Sequence, residues 1–391
     1  MKILLIGEYS NVHAMLAEGL RRLGHEVTVA SNGDFWKNYP RDIDLARKPG
    51  KWSGILLLLR LAVLLPRLRG YDIVQLINPM FVELKACWNR RLYRYLRRNN
   101  RHVVMGAFGM DYYWVSQCLT AKPLRYSDFN IGDHLRTDAD AMKERKDWLG
   151  DDGDGRWMGT EKGRLNQLIA KDCDAIVAGL YEYWACYVPL FREKTTFIPF
   201  PLKPEPGRET TAGTCTKAPL RIFIGINKTR NVYKGTDIML RALEDVVDRY
   251  PDKVTIVKAV SVPFAEYVRL MDGCDLIMDQ LYSYTPAMNA LQAMAKGLVC
   301  VGGGEEENYE ILGENELRPI INVQPNYRSV YDALVKIVLH PENVERMKKQ
   351  SMEYISRHHD YIHVAERYAA LYAHLDDDRN DEPSGTNSDR P

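Results

Sequence analysis

Two stretches of alternating strand and helix signals, held apart by a segment that supports neither, constrain this chain more than any other feature. Residues 2–6 are an apolar run closed by Gly7, a helical pattern covers 11–23, Gly24 stops it, and 25–30 reads as a second strand. That order is a βαβ unit with a parallel strand pair. The rhythm continues with a strand at 72–77, a helix at 81–98, a strand at 102–106, a helix at 162–171, and strands at 175–178 and 196–198. Residues 202–218, LKPEPGRETTAGTCTKA, are rich in Pro, Gly and Thr and lack apolar periodicity, which is linker composition. The pattern then restarts with strand 220–226, helix 236–250, strand 254–260, short helix 263–271, strand 276–279, helix 286–296 and strand 298–301. The expected class is α/β, with two Rossmann-like, doubly wound domains facing across a cleft. Residues 1–201 would form the first domain, 202–218 the linker and 219–360 the second domain; 376–391, polar and acidic, would be a disordered tail.

At 391 residues the chain exceeds a single hydrophobic core, and 46% hydrophobic with 27% charged residues suits globular domains. Seven cysteines without a CxxC pair fit neither a zinc ribbon nor a disulfide framework, and suit a reducing cytosol. The opening MKILLIGEYS has too short an apolar run for a signal peptide. The stretch 55–65, interrupted by Arg60, is shorter than the roughly 20 residues that cross a bilayer. A cytoplasmic protein is expected. Net charge is only +1, but residues 1–110 hold 18 Lys and Arg against 8 Asp and Glu, concentrated in Lys85, Arg90, Arg91, Arg94, Arg97, Arg98 and Arg101. Such a face suits a solvated surface, an anionic membrane or a nucleic acid, and the acidic remainder of the chain argues against nucleic acid. Residues 55–69, apolar with interleaved arginines, also read as an interfacial amphipathic helix. Peripheral contact with an anionic inner membrane face is therefore an expectation.

In doubly wound sheets, ligands lie beyond the carboxyl ends of the strands. The loop after the first strand, Gly7-Glu8-Tyr9-Ser10-Asn11-Val12-His13, lacks GxGxxG, so a dinucleotide site loses its main support. Ser10, Asn11 and His13 are its acceptor-side candidates. Asp111 reads either as a helix N-cap or as a carboxylate that takes a proton or orients a sugar hydroxyl. In the second half, Asn227, Lys228, Arg230 and Lys234 precede Gly235, and three cations at a strand mouth suit a diphosphate. Further on, Tyr284, Thr285 and Pro286 lead into a helix carrying Ala287, Met288, Asn289 and Gln292, whose bare N–H groups would form an anion site.

On these residues the chain resembles the nucleotide-sugar glycosyltransferases of the GT-B fold, especially the retaining group called glycosyltransferase family four. That group ends its donor helix with an EAMA-x-G-x-P-V-V-like segment, matched by QAMAKGLVCV, and places a basic residue before a KG pair, matched by Arg230 and Lys234-Gly235. Weaker likenesses are LAEGLRRLGHEVTVAS to the first βαβ unit, CDAIVAGLYEYW to an A-D-x-V-x-x-x-S-E-x segment, and FIPFPL to the strand closing the first domain. HDYIHVAERYAALY is similar to the terminal helix, here 361–375, which in that family crosses back to the first domain. The resemblance implies sugar transfer from a nucleoside-diphosphate sugar to a glycan or lipid-linked acceptor in polysaccharide assembly. Arg230, Lys234 and helix N–H groups would neutralise the leaving diphosphate, with Asp111 as a further catalytic candidate and with neither metal nor other cofactor. Two departures stand out: the family's paired donor-site glutamates fall on Tyr284 and Gln292, and its first-domain histidine falls on Phe108. The stereochemical outcome stays open. So do two rivals, a nucleotide-sugar epimerase of the same fold and a nucleotide-sugar-binding protein without turnover.

Four further segments invite a function. Residues 151–155, DDGDG, resemble a calcium loop but fail EF-hand spacing. His358, His359, Asp360 and His363 lack the HExxH order of a zinc site. Gly302-Gly303-Gly304 could approach a donor closely. Glu305-Glu306-Glu307 reads as an exposed acidic turn, or as one carboxylate reaching a sugar hydroxyl.

Overall fold

The computed structural model describes residues 1–138, 157–204, 219–228 and 231–380. Arg230, most of the expected linker and the DDGDG segment lie outside the described residues. Strands β1 (Lys2–Ile6), β2 (Glu26–Ser31), β3 (Ile43–Asp44), β4 (Ile73–Leu76), β5 (His102–Ala107), β6 (Asn130–Ile131), β7 (His134–Leu135), β8 (Ala175–Ala178) and β9 (Thr195–Phe197) precede the expected linker. All but β6 and β7 belong to one sheet, in the order β3-β2-β1-β4-β5-β8-β9; β6 and β7 form a small antiparallel hairpin. After the linker come β10 (Leu220–Ile226), β11 (Val254–Val260), β12 (Leu276–Met278), β13 (Val299–Gly302) and β14 (Ile321–Asn322), a second sheet in the order β11-β10-β12-β13-β14, parallel throughout. β4, β5, β8 and β13 are buried at every position, so they read as continuous apolar runs rather than alternating ones, as strands covered on both faces do.

The helices are α1 (Val12–Arg22), α2 (Ser53–Leu64), α3 (Ala86–Asn99), α4 (Tyr112–Leu119), α5 (Glu161–Asp172), α6 (Tyr181–Phe191), α7 (Asn231–Lys234) and α8 (Thr236–Arg249). They continue with α9 (Phe264–Met271), α10 (Met288–Ala295), α11 (Glu306–Leu312), α12 (Tyr327–Leu339), α13 (Glu342–His358) and α14 (Tyr361–Asn380). The chain separates into two compact units, one of Met1–Gly106, Ile169–Ile176 and Tyr361 onward, the other of Ala107–Leu168 and Val177–Asp360.

In the first unit, α3 starts at Ala86 rather than at 81. Asn89, fully buried, explains the difference: its amide takes the Val82 N–H at 3.1 Å and donates to the carbonyls of Val82 and Leu84, folding 82–85 into a loop. Helix α14 lies along α1, and Gly19 makes that approach feasible. A Cβ there would sit 2.3 Å from the Tyr361 carbonyl oxygen and 2.7 Å from the Ala365 Cβ. The helix runs to Asn380, past the expected end at 375, so the start of the expected tail is ordered. One of its acidic side chains has partners: Asp376 lies 3.1 Å from Arg101 Nε and 3.2 Å from His102 Nε2. In the second unit, Leu220, Ile222, Leu243, Leu276, Val299 and Leu334 centre the core beneath the second sheet.

Replacing Gly19 with Val should unseat α14 and cost about 1–3 kcal/mol through overpacking. Urea unfolding of the variant checks this, and an unchanged midpoint would show that the close approach of α1 and α14 contributes nothing.

Candidate functional site

In the first unit, the polar residues after β1 collect where the strand order reverses. β1 lies between β2 and β4, the switch point at which an α/β sheet opens a crevice. Gly7 adopts φ +87°, and a Cβ there would fall 2.2 Å from Ile77 Cγ2, so glycine is required beside the end of β4. A cavity of about 70 Å³ opens here, lined by Gly7, Glu8, Asn32, Phe35, Phe81 and Glu83 among others. Ser10 and Asn11 both take left-handed backbone angles, φ 51° and 71°, which cost energy outside glycine. Asp34 holds that turn by accepting the Ser10 N–H at 2.9 Å, and Lys37 Nζ braces Asp34 at 2.6 Å. The Asn11 Oδ1 is buried without a hydrogen-bond partner among the described residues.

His13 departs from the acceptor-side expectation. It is fully buried, with Nδ1 2.8 Å from the Gly7 carbonyl and Nε2 3.3 Å from Gln75 Nε2. A carbonyl only accepts, so Nδ1 carries the proton and Nε2 receives the Gln75 amide; the Gln75 Oε1 in turn accepts the Tyr372 hydroxyl at 2.6 Å. Burial drives the ring's pKa down to about 3, so it stays neutral and braces the β1 turn from inside the core. The residue that does face the crevice is Glu8. It is buried, receives the N–H groups of His13 at 3.3 Å and Ala14 at 2.9 Å, and burial pushes its carboxyl up to about 8. The signal for it was a carboxylate just ahead of a helix start, where free N–H groups need an acceptor.

In the second unit, Asp111 realises the N-cap reading. Its Oδ1 accepts the Trp114 N–H at 2.9 Å, its Oδ2 accepts the Tyr187 hydroxyl at 2.5 Å, and it is fully buried. Burial raises its pKa to about 6, but no face is open to a reacting hydroxyl.

The loop ahead of α10 differs from expectation in a related way. Its helix begins at Met288, with Ala287 as an N-cap whose own side chain makes no cap bond. The N–H groups of Tyr284 and Thr285 are not bare: both bond Glu182 Oε1, at 2.7 and 3.0 Å, the Ser283 hydroxyl lies 2.9 Å from the same atom, and the Thr285 hydroxyl bonds Oε2 at 2.6 Å. Tyr284 is buried, stacked on Tyr181 at 15° with centroids 5.9 Å apart and packed against Tyr126 at 4.8 Å. The Arg125 N–H donates to its hydroxyl at 2.6 Å. Its ring is therefore spent on packing rather than presented to a sugar or base.

What remains for a ligand lies at the ends of β10 and β12. Asp279, just past β12, is buried, and burial raises its pKa against the field of Lys234. The Asn289 side chain and the Ala287 N–H also reach this carboxylate, and Asn289 reaches Tyr267 as well. Gly235, at φ +72°, allows Lys234 to end α7 there, since a Cβ would meet Leu281 Cβ at 2.6 Å. Arg136 fixes the same turn, donating to the carbonyls of Val232 at 3.1 Å and Tyr233 at 2.9 Å while its guanidinium covers the Tyr282 ring. Asn227 and Lys228 are exposed at the mouth of β10, Met288 is buried, and Gln292 is half-buried on α10. Arg136 was missed because nothing local distinguishes a buried arginine from a surface one.

The other sequence candidates are structural. Gly303 touches the Ser283 backbone, where a Cβ would sit 2.1 Å from the carbonyl oxygen. Glu305 is buried rather than in an exposed turn, taking Tyr126, Arg125, Asn322 and Gln324 as donors. His358 bonds Glu314 at 2.6 Å and His359 bonds the Phe200 carbonyl at 2.9 Å. Among the described residues, no three His, Cys, Asp or Glu side chains gather as a metal site, and no helix is long and apolar enough to cross a membrane.

No family model matches the chain, and no curated protein matches it in sequence. Solved structures do match its fold. Sucrose-phosphate synthase from Thermosynechococcus elongatus aligns with a TM-score of 0.61 at 13% identity, over 97% of this chain and 100% of that one. Anabaena HepE in complex with UDP-glucose aligns with a TM-score of 0.57 at 11% identity, over 96% and 100%. A Listeria monocytogenes protein assigned as a UDP-N-acetylglucosamine 2-epimerase aligns with a TM-score of 0.52 at 12% identity, over 100% and 98%. The chain has the two-domain, Rossmann-like GT-B fold.

Glu8 makes the first unit's stability depend on pH. The folded carboxyl keeps its proton up to about pH 8, whereas an ordinary one loses it near 4.5. Its contribution is therefore complete below about 4.5 and is lost as pH rises through 8. Glu8→Gln should be more stable than the parent at pH 9, by up to about 5 kcal/mol, with the gap closing at pH 5. Urea unfolding at the two pH values checks this, and a gap that does not change with pH would contradict a buried, proton-holding Glu8.

Proposed function

We propose that this chain is a glycosyltransferase, moving a sugar from a nucleoside-diphosphate sugar to a hydroxyl of a glycan or lipid-linked acceptor. The observation that carries this reading is the meeting, at Asp279, of Lys234 with the start of α10, whose N-cap is an alanine, at the carboxyl ends of β10 and β12. With the Ala287 N–H taken by Asp279, the N–H groups of the first turn that follow it, beside a cation, are what a diphosphate requires. As the bond from the anomeric carbon to the diphosphate breaks, negative charge gathers on the leaving phosphate. Lys234, Lys228, Arg230 and those N–H groups would meet it, so the reading assigns the work to fixed cations and dipoles rather than to a metal or organic cofactor. Asn289 and Gln292 would contact the donor along α10. Ser10 and Asn11, held in strained backbone just after the crevice-lining Gly7, Glu8 and Tyr9, are the acceptor-side candidates.

The fold supports the reading, since the structure of HepE that it matches was solved with UDP-glucose. Such a reaction would belong to polysaccharide assembly, on the cytoplasmic side and at the face of an anionic membrane when the acceptor is lipid-linked. One observation favours epimerisation as the second reading: where the resembled family carries its first donor-site glutamate, this chain has Tyr284 locked in a stack. Donor consumption with and without acceptor separates the two.

A panel of UDP-, GDP- and ADP-sugars should contain a donor that raises the melting temperature. At about 100 times its Kd such a ligand adds about 2.7 kcal/mol. Lys234→Met combined with Asp279→Asn removes both charges together, so the variant should fold like the parent and lose the ligand-induced rise. Full protection in that variant would remove Lys234 from the donor site.

A further inference from the structure

We propose that α2 is an in-plane membrane anchor, inserting the apolar face made by Trp52, Ile55, Leu56, Leu59 and Val63 into an anionic bilayer. The inference rests on exposure and charge alone, and would stand if the chemistry were epimerisation instead.

A helix that is apolar on every side is ordinarily buried on every side. Helix α2, SGILLLLRLAVL, is apolar on both faces and buries only one. Ser53, Leu57 and Leu61, spaced four apart, pack inward. Trp52 is 70% exposed, Ile55 51%, Leu56 58%, Leu59 61% and Val63 79%. Their spacing places them on one side of the helix, so they form a continuous apolar strip rather than scattered surface residues.

The charge around the strip selects its partner. Between Asp44 and Asp72 there is no carboxylate, while Arg47, Lys48, Lys51, Arg60, Arg67 and Arg69 supply only positive charge. Arg60 is paired with Asp44 at 3.3 Å, and Arg47 Nε is bonded to Ser53 Oγ at 2.8 Å. Lys48 and Lys51 stand exposed ahead of the helix, and Arg67 and Arg69 stand exposed after it. Cations at both ends of an apolar strip match a bilayer surface, where the strip enters the acyl region and the charged ends stay among anionic headgroups. With 12 residues the helix is about 18 Å long, too short to cross, so it lies in the plane of the surface. A second copy of this chain would bring the same cations against one another, which opposes the apolar gain.

The anchor also adjoins the crevice of the first unit. The Arg47 N–H contacts Glu83 Oε2 at 3.4 Å, Glu83 lines the cavity, and the Arg47 guanidinium holds Ser53 at the start of α2. One residue thus links the cavity rim to the inserting helix.

Flotation with vesicles of equal parts phosphatidylglycerol and phosphatidylcholine, against phosphatidylcholine alone, tests the proposal. The full chain should float with the anionic vesicles at low salt, less so at high salt, and not with the neutral ones. The variant Leu56→Asp, Leu59→Asp and Val63→Asp changes only exposed positions and should melt like the parent, yet partition about tenfold or more weakly. Changing Lys48, Lys51, Arg67 and Arg69 to Gln should remove the preference for anionic vesicles. The proposal is overturned if the parent chain fails to float at low salt, or if the triple variant floats equally well. It is also overturned if light scattering shows a dimer that the triple variant dissolves while no vesicle is bound.

Discussion

A single buried carboxylate fixes the loop on which the second unit's ligand region depends. Glu182, at the start of α6, is surrounded by two backbone N–H groups and two hydroxyls from the consecutive residues Ser283, Tyr284 and Thr285. Without Glu182 the two N–H groups and the Thr285 hydroxyl would lose these bonds, at about 1–3 kcal/mol apiece, while the Ser283 hydroxyl also reaches the Thr285 carbonyl at 2.7 Å, so the loop has little freedom to adopt another shape. The rest of the region is built on that fixed loop. Tyr181, Tyr284 and Tyr126 stack beside it, the Arg125 guanidinium lies 5.0 Å from the Tyr284 ring, and Gly303 presses on the Ser283 backbone. Glu305 then ties Tyr126 and Arg125 to Asn322 and Gln324. The start of α10 follows directly from this loop.

Several conspicuous polar residues therefore turn out to be framework, and this shapes the functional account. His13, Asp111 and Tyr284 each have the chemistry of an active site and the burial of a core residue. With them removed from the ligand's reach, the groups left at the strand mouths are cations, amides, helix N–H groups and two buried carboxyls, Glu8 and Asp279, whose pKa values burial raises. That inventory suits a reaction driven by holding a leaving group and its charge, rather than one needing a shaped set of acids and bases. The proposed donor site also does not depend on a carboxylate at position 284, since the elements proposed to hold the anion are separate from the tyrosine stack.

The parts of the fold legible in the sequence are those dictated by local rules. Strands β10 and β11 were bounded correctly at both ends because apolar runs met clear breakers. Helix α3 was placed too early because the preceding loop is apolar, and only the side chain of Asn89 shows that it is not helical. The stop of α14 was placed too early for the opposite reason: acidic composition suggested disorder, while Arg101, far away in sequence, supplies the charge beside Asp376, with the His102 ring next to it. Site residues followed the same division. The Lys234-Gly235 pair stands out in the sequence as a cation and a glycine between a strand and a helix, and the structure places a left-handed glycine at that helix junction. Glu8, Glu182 and Arg136 were missed because their importance comes from burial against partners distant in sequence or from a crevice the sheet creates, neither of which leaves a mark on neighbouring residues.

The central claim is that a nucleoside-diphosphate sugar is held where α7 and α10 meet the ends of β10 and β12. Hydrogen–deuterium exchange, followed by peptide with and without a saturating UDP-, GDP- or ADP-sugar, tests it most directly. The account predicts slowed exchange at 231–236 and 286–292 with the donor that binds. Saturable binding with protection confined to other segments, or no protection with any of these donors, would contradict it.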